Sequence, residues 1–145
     1  MAVRARSITL WRREVENTPG TLARTLEPLA RAGADLEILM AYRCPGEERI
    51  AAIEVYPVSG KKATAAAQAA GLTATSIPTL LVEGDNRPGQ AHAVTRAIAD
   101  AGINLTFFLA QVIGKKYSAV VGFETEADAR RALSLVKRTK APKKT

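Results

Sequence analysis

Glu16-Asn17-Thr18-Pro19-Gly20 and Asp85-Asn86-Arg87-Pro88-Gly89 are one phrase written twice, 69 residues apart. At the same offset Leu29 matches Ile98, Ala30 matches Ala99, and Ala32-Gly33 matches Ala101-Gly102. Asp35-Leu36 then matches Asn104-Leu105. A turn, a helix and a glycine stop repeated in one register mark an internal duplication. The 145 residues therefore read as two copies of one unit, joined near Pro78.

Period and punctuation give the elements of each copy. Ile8 to Glu16 is rich in β-branched and aromatic residues and reads as a strand. Asn17 to Gly20 is a turn, with proline and glycine placed to open a helix. Leu22, Leu26, Leu29 and Ala30 form one helical stripe, and Gly33 ends it. Pro28 lies inside that helix, where it is expected to bend it. Leu36 to Tyr42 alternates as a half-buried strand, Cys44 to Glu48 is a hairpin turn, and Arg49 to Val58 returns. Lys61 to Ala70 is an alanine-rich helix stopped by Gly71, and Leu72 to Ile77 a short strand.

Copy two repeats the order. Thr79 to Gly84 is a strand and Gly89 to Ala101 a helix. Ile103 to Ile113 is a strand with Leu105, Phe107 and Leu109 expected on one face. Lys116 to Glu124 returns with Ala119, Val121 and Phe123 on one face. Thr125 and Asp128 open a last helix whose stripe is Ala129, Ala132, Leu133 and Val136. No strand-forming run follows, so the second sheet lacks a fourth strand from its own copy. The start of the chain, from about Val3, is the candidate to fill that edge.

The order β-α-β-β-α-β is the ferredoxin-like motif. The expected fold is α+β: two tandem ferredoxin-like units with antiparallel sheets and helices on one face. Their expected spans are residues 7–77 and 78–138, followed by a basic tail at 139–145.

Composition bounds the function. The 47% hydrophobic content fits a globular protein rather than a disordered one. The single cysteine, Cys44, excludes an internal disulfide and suits a reducing compartment. No stretch has the length of apolar residues that crosses a membrane, and the start has no apolar run of signal-peptide length, so the expected location is the cytoplasm. The net charge is +7, yet Lys137, Arg138, Lys140, Lys143 and Lys144 lie in the last nine residues, and the rest carries only +2. The basicity is thus mainly a tail, expected to be a solvated one.

The Glu16-to-Leu22 stretch and Asp85-Asn86-Arg87-Pro88-Gly89 resemble the first strand-to-helix turn of ACT domains. Ala32 to Leu36 and Ala101 to Leu105 are similar to that family's junction between first helix and second strand. The resemblance covers about residues 7–136. It implies a regulatory protein that binds a small molecule, an amino acid above all, and often dimerises. It places the ligand at the Pro-Gly turns. Those positions are Asn17, Thr18, Pro19, Gly20, Thr21 and Leu22, and Asn86, Arg87, Pro88, Gly89 and Gln90. Many members carry Asp where Asn17 and Asn86 stand, and copy two has Gln90-Ala91 where copy one has Thr21-Leu22. The partners this implies are therefore an amino acid, a second copy of the chain, and a regulated enzyme or transporter.

Physical chemistry supports the same turns. Glycine at a helix start lets backbone amides approach a ligand, and the first helical N–H groups attract a carboxylate. An asparagine carbonyl serves an ammonium or amide group. A Pro-Gly turn also simply starts a helix, so the bare scaffold is the competing reading. No catalytic, metal or cofactor constellation accompanies the turns. His92 stands alone in a helix's first turn, Cys44 has no second cysteine or base, and no phosphate-loop signature occurs. The chain is expected not to be an enzyme.

Two rivals remain. The RNA-recognition motif has the same element order, and Lys115 to Thr125 is similar to its aromatic third strand. Lys116 stands where that motif has glycine, Ala119 where it has an aromatic residue, and Gly122 replaces another. Aromatic residues are only 5% of the chain, so stacking platforms for bases are scarce. The other rival is a partner-binding module with no small ligand.

Overall fold

A computed structural model describes residues 3–139. Contacts divide the chain into two units. One is Thr9–Ser76; the other joins the stretch up to Ile8 to the chain from Ile77 onward. Each unit has a four-stranded antiparallel sheet and two helices.

The first unit contains β2 (Trp11–Glu16), α1 (Thr21–Arg31), β3 (Ile38–Cys44), β4 (Glu47–Tyr56), α2 (Gly60–Ala69) and β5 (Thr73–Ala74). Its sheet order is β3-β4-β2-β5. Side chains alternate across β4, so Ile53 and Val55 turn to one face and meet Leu29 of α1 and Ala67 of α2. Both helices thus cover that face. The helical stripe differs from the expected one. Leu29 is buried, but Thr25 is the other buried position, its hydroxyl satisfied by donating to the Thr21 carbonyl at 2.9 Å. Leu22 and Ala30 are exposed. The helix continues through Pro28 to Arg31.

The last strand is shorter than Leu72 to Ile77. Leu72 is buried, and its N–H closes the α2 stop on the Ala67 carbonyl at 2.9 Å instead of joining a ladder. Only Thr73 and Ala74 pair with β2.

The second unit contains β1 (Arg4–Ile8), β6 (Thr79–Asp85), α3 (Gln90–Asp100), β7 (Leu105–Ile113), β8 (Lys116–Phe123) and α4 (Glu126–Lys137). Its order is β1-β6-β8-β7. The start of the chain does fill the open edge: β1 pairs antiparallel with β6 from Arg4↔Glu83 to Ile8↔Thr79. What reads as one strand from Ile8 to Glu16 is therefore two, serving different sheets, with Thr9 and Leu10 between them.

Tyr117, Ala119, Val121 and Phe123 of β8 face Val94 and Ile98 of α3 and Ala129, Ala132 and Val136 of α4. The cap of α4 is the expected one: the Thr125 hydroxyl accepts from the Asp128 N–H at 3.1 Å. Along β7 the register shifts between Leu105 and Phe107. Leu105 pairs with Phe123 and packs on the helix side, while Phe107 pairs with Gly122. The bulge thus parts Leu105 from Phe107 and Leu109, which were expected on one face. A β-carbon on Gly122 would lie 2.3 Å from the Phe107 ring, so only glycine fits beneath it.

No helix among the described residues is long and apolar enough to cross a membrane. Residues 140–145, most of the basic tail, lie outside the described ones.

Starting the chain at Thr9 removes β1, with its buried Ile8, and the buried Val3 before it. We expect a loss of about 3–6 kcal/mol for the second unit, from two buried aliphatic side chains. Urea unfolding of this truncated chain checks it. Gly122→Ala should destabilise by ~1–3 kcal/mol, and Phe107→Ala in the same chain should recover much of the loss, measured as a double-mutant cycle.

Candidate functional site

Each repeated turn is fastened to the hairpin beside it. The Asn17 N–H donates to the Arg49 carbonyl and the Asn86 N–H to the Lys115 carbonyl, both at 2.8 Å. The next glycines then take a left-handed conformation, with φ of 87° at Gly20 and 85° at Gly89. That conformation strains any residue with a β-carbon, which explains glycine at both places. The helices start directly afterward, and no side chain caps either one. The first helix-closing bonds come from Arg24 N–H to Gly20 and from Ala93 N–H to Gly89. The amides of Leu22 and Ala23, and of Ala91 and His92, precede them and have no helical acceptor.

A cleft opens at each turn. The first, of about 310 Å³, is lined by Glu16, Asn17, Thr18, Thr21 and Leu22 and by Tyr42 and Arg43 of β3, with Ala51 and Ile53 of β4. The second, of about 320 Å³, is lined by Asn86 through His92, by Ala110, Gln111 and Val112 of β7, and by Tyr117 of β8. Of the positions expected from sequence, the first cleft gathers Asn17, Thr18, Thr21 and Leu22, while Pro19 and Gly20 shape the turn without lining it. The second gathers all five: Asn86, Arg87, Pro88, Gly89 and Gln90. Met40, Leu39 and Phe108 line neither. A larger hollow of about 440 Å³ lies at the other end of α1, beside Gly33, Gly60 and Lys61, and contains none of the turn residues.

The two clefts differ in how their polar groups are satisfied. In the first, Asn17 Nδ2 donates to the Glu48 carbonyl at 3.1 Å. The Thr18 and Thr21 hydroxyls bond each other at 2.8 Å, and Arg24 Nη2 donates to Thr21 Oγ1 at 3.2 Å. Behind β3, Tyr42 donates to buried Glu54 at 2.9 Å, with Arg12 4.0 Å from the same carboxylate. Burial first, and then the bond to Glu54, raise the Tyr42 pKa, while Arg12 opposes them.

In the second, Gln90 and Tyr117 are each 3% exposed, and Gln90 Oε1 and Tyr117 Oη have no hydrogen-bond partner. Burial alone pushes the Tyr117 hydroxyl up to about 12. At the rim, Asp85 pairs with Lys116, whose hydrogen bond holds the carboxyl below its usual range.

Sequence reading missed Tyr42, Arg43, Gln111 and Tyr117, because strand register rather than proximity brings them to the turns. It also set aside His92, which lines the second cleft. Among the described residues no group of His, Cys, Asp or Glu could hold a metal ion. Tyr117 and Phe123 turn toward the helices and are buried, so neither offers a ring for stacking a base.

The ACT domain family matches residues 78–141. A Bacteroides thetaiotaomicron protein of known structure superposes with a TM-score of 0.74 at 15% identity, over 90% of this chain and 88% of that one. The ligand-free regulatory subunit of aspartate kinase from Thermus thermophilus gives 0.64 at 18% identity, over 97% and 99%. The corresponding subunit from Thermus flavus gives 0.57 at 17%, over 94% and 97%. At these identities the likeness is one of fold. No curated protein sequence matches the chain.

The raised Tyr117 pKa has a testable sign. The folded state holds the phenol proton to about 12, whereas the unfolded chain releases it near 10.0. Its contribution is therefore complete below pH 10.0 and is lost as pH rises toward about 12. Tyr117→Phe should lose less stability than the parent across that window. Urea midpoints at successive pH values would reject this if both chains declined in parallel.

Proposed function

With an ACT domain at residues 78–141 and a second unit of the same fold before it, we propose that this chain is a regulatory module. It binds an amino acid at the Pro-Gly turns and passes that state to a partner. The observation that carries the reading is the recurrence of one cleft. Two units with different side chains keep a hollow of nearly equal size, about 310 and about 320 Å³, at the same turn. A scaffold needs the glycine turn but not the hollow beside it.

The chemistry of the hollow suits an amino acid. Uncapped helical amides favour the α-carboxylate. Arg87 adds a cation to the second cleft. The side chain meets a mixed lining: Leu22, Ala41 and Ile53 in one copy, Ala91, Ala110 and Val112 in the other. Binding at these turns joins the first helix to the second strand's edge, so occupancy biases how β3 and β7 are presented. Both are edge strands, and both carry exposed apolar residues: Leu39 and Tyr42 on one, Leu109, Val112 and Ile113 on the other. Such edges suit pairing with a second copy of the chain or with a regulated enzyme or transporter. In this reading the chain does no chemistry itself and works in the cytoplasm.

A thermal-unfolding screen against the twenty amino acids tests this. A ligand at a hundredfold excess over its Kd adds about 2.7 kcal/mol, a shift of roughly 5–10 °C. One or a few amino acids should give it. Gly20→Ala and Gly89→Ala should each lower stability by ~1–2 kcal/mol through their left-handed turns, and the variant in the occupied copy should also weaken binding. A flat response to all twenty amino acids would refute the proposal.

A further inference from the structure

We propose that the second cleft is the one that takes ligand, and that it recognises a neutral side-chain group which both donates and accepts hydrogen bonds, namely a carboxamide. This rests on the amino-acid reading above.

Two orphaned atoms belong to residues of this one cleft. Gln90 and Tyr117 both line the second cleft, both are 3% exposed, and Gln90 Oε1 and Tyr117 Oη have no partner. A buried polar group left unpaired destabilises the fold that contains it. Gln90 and Tyr117 both belong to the wall of one cleft, and a ligand that reaches the two atoms would complete them.

The first copy shows what the same positions look like when nothing is left open. At the equivalent place of Gln90 it has Thr21, whose hydroxyl is already engaged by Thr18 and Arg24. In the ladder, Val15 pairs with Ala51 where Gly84 pairs with Tyr117. Copy two thus exchanges an aliphatic pair for a glycine beside a tyrosine. A β-carbon on Gly84 would meet Val3 at 3.7 Å, and the tyrosine brings a hydroxyl.

The chemistry of the pair selects the ligand group. Gln90 Oε1 accepts, and the Tyr117 hydroxyl donates its proton. A carboxamide supplies an N–H to the first and a carbonyl to the second. A carboxylate has no hydrogen for Gln90 Oε1, and an ammonium has no acceptor for the Tyr117 proton. Either would also place a charge where Gln90 and Tyr117 offer only neutral groups, which is unfavourable. Arg87 and the amides of Ala91 and His92 remain for the α-carboxylate.

The experiment is calorimetric titration of the intact chain with L-asparagine, L-glutamine, L-aspartate, L-glutamate, L-lysine and L-leucine, alongside thermal unfolding without ligand. L-asparagine or L-glutamine should bind at least about tenfold more tightly than the others. Tyr117→Phe and Gln90→Met should each weaken that binding by about ten- to hundredfold. Tyr117→Phe should at the same time raise the unliganded unfolding midpoint, because it removes an unpaired hydroxyl without changing shape. Thr75→Val serves as the control: Thr75 Oγ1 is also buried without a partner but lines neither cleft, so it should leave affinity unchanged.

If amino acids bind but prefer charged or apolar side chains, or bind Tyr117→Phe and Gln90→Met as tightly as the parent, this inference falls and the regulatory reading stands. If none of the six binds and the screen of all twenty is flat, both fall.

Discussion

Both clefts hang on one backbone bond made twice. The asparagine after β2 in one unit and after β6 in the other gives its N–H to the hairpin that follows, Asn17 to Arg49 and Asn86 to Lys115, at 2.8 Å in each case. That bond holds the turn against the sheet after the regular ladder ends. The glycine three residues later must then reverse the chain in a left-handed conformation to start the helix. Helix start, strand end and hairpin base are fixed within one small region, and the hollow is the space they leave.

The rest of each unit keeps that region in place. In the first, Leu29 and Ala67 press two helices onto Ile53 and Val55. In the second, α3 and α4 cover the β8 row from Tyr117 to Phe123. The second sheet also depends on β1, which comes from the other end of the chain and buries Val3. A strand so remote in sequence adds a loop-closure cost that its ladder and apolar burial must exceed. The duplicated units are therefore not interchangeable segments. One supplies its own short edge strand, β5, and the other takes its edge from the chain start.

The two copies have also diverged in what their clefts ask for. Copy one closes its polar groups on itself through Thr18, Thr21 and Arg24. Copy two keeps a buried amide oxygen and a buried phenol without partners. A fold selected only for stability tends to pair such groups or replace them. Keeping them is consistent with a site whose pairing is finished by something that arrives.

The sequence by itself determined the duplication, the α+β order, the two glycine turns and the positions grouped around them. It did so because turn chemistry and helix stops are local: glycine is required where φ is positive, and a threonine cap needs only its own next three residues. The expected α4 cap and stripe and the edge role of the chain start were legible for the same reason, or from a missing strand. Only the tertiary structure decided the break between β1 and β2, the bulge that parts Leu105 from Phe107, and the burial of Thr25 in place of Leu22. Only it set Tyr117 and Gln90 on the wall of one cleft. Those outcomes depend on strand register and on which residue finds room against its neighbours across the sheet, and such long-range pairings leave no periodic mark along the chain.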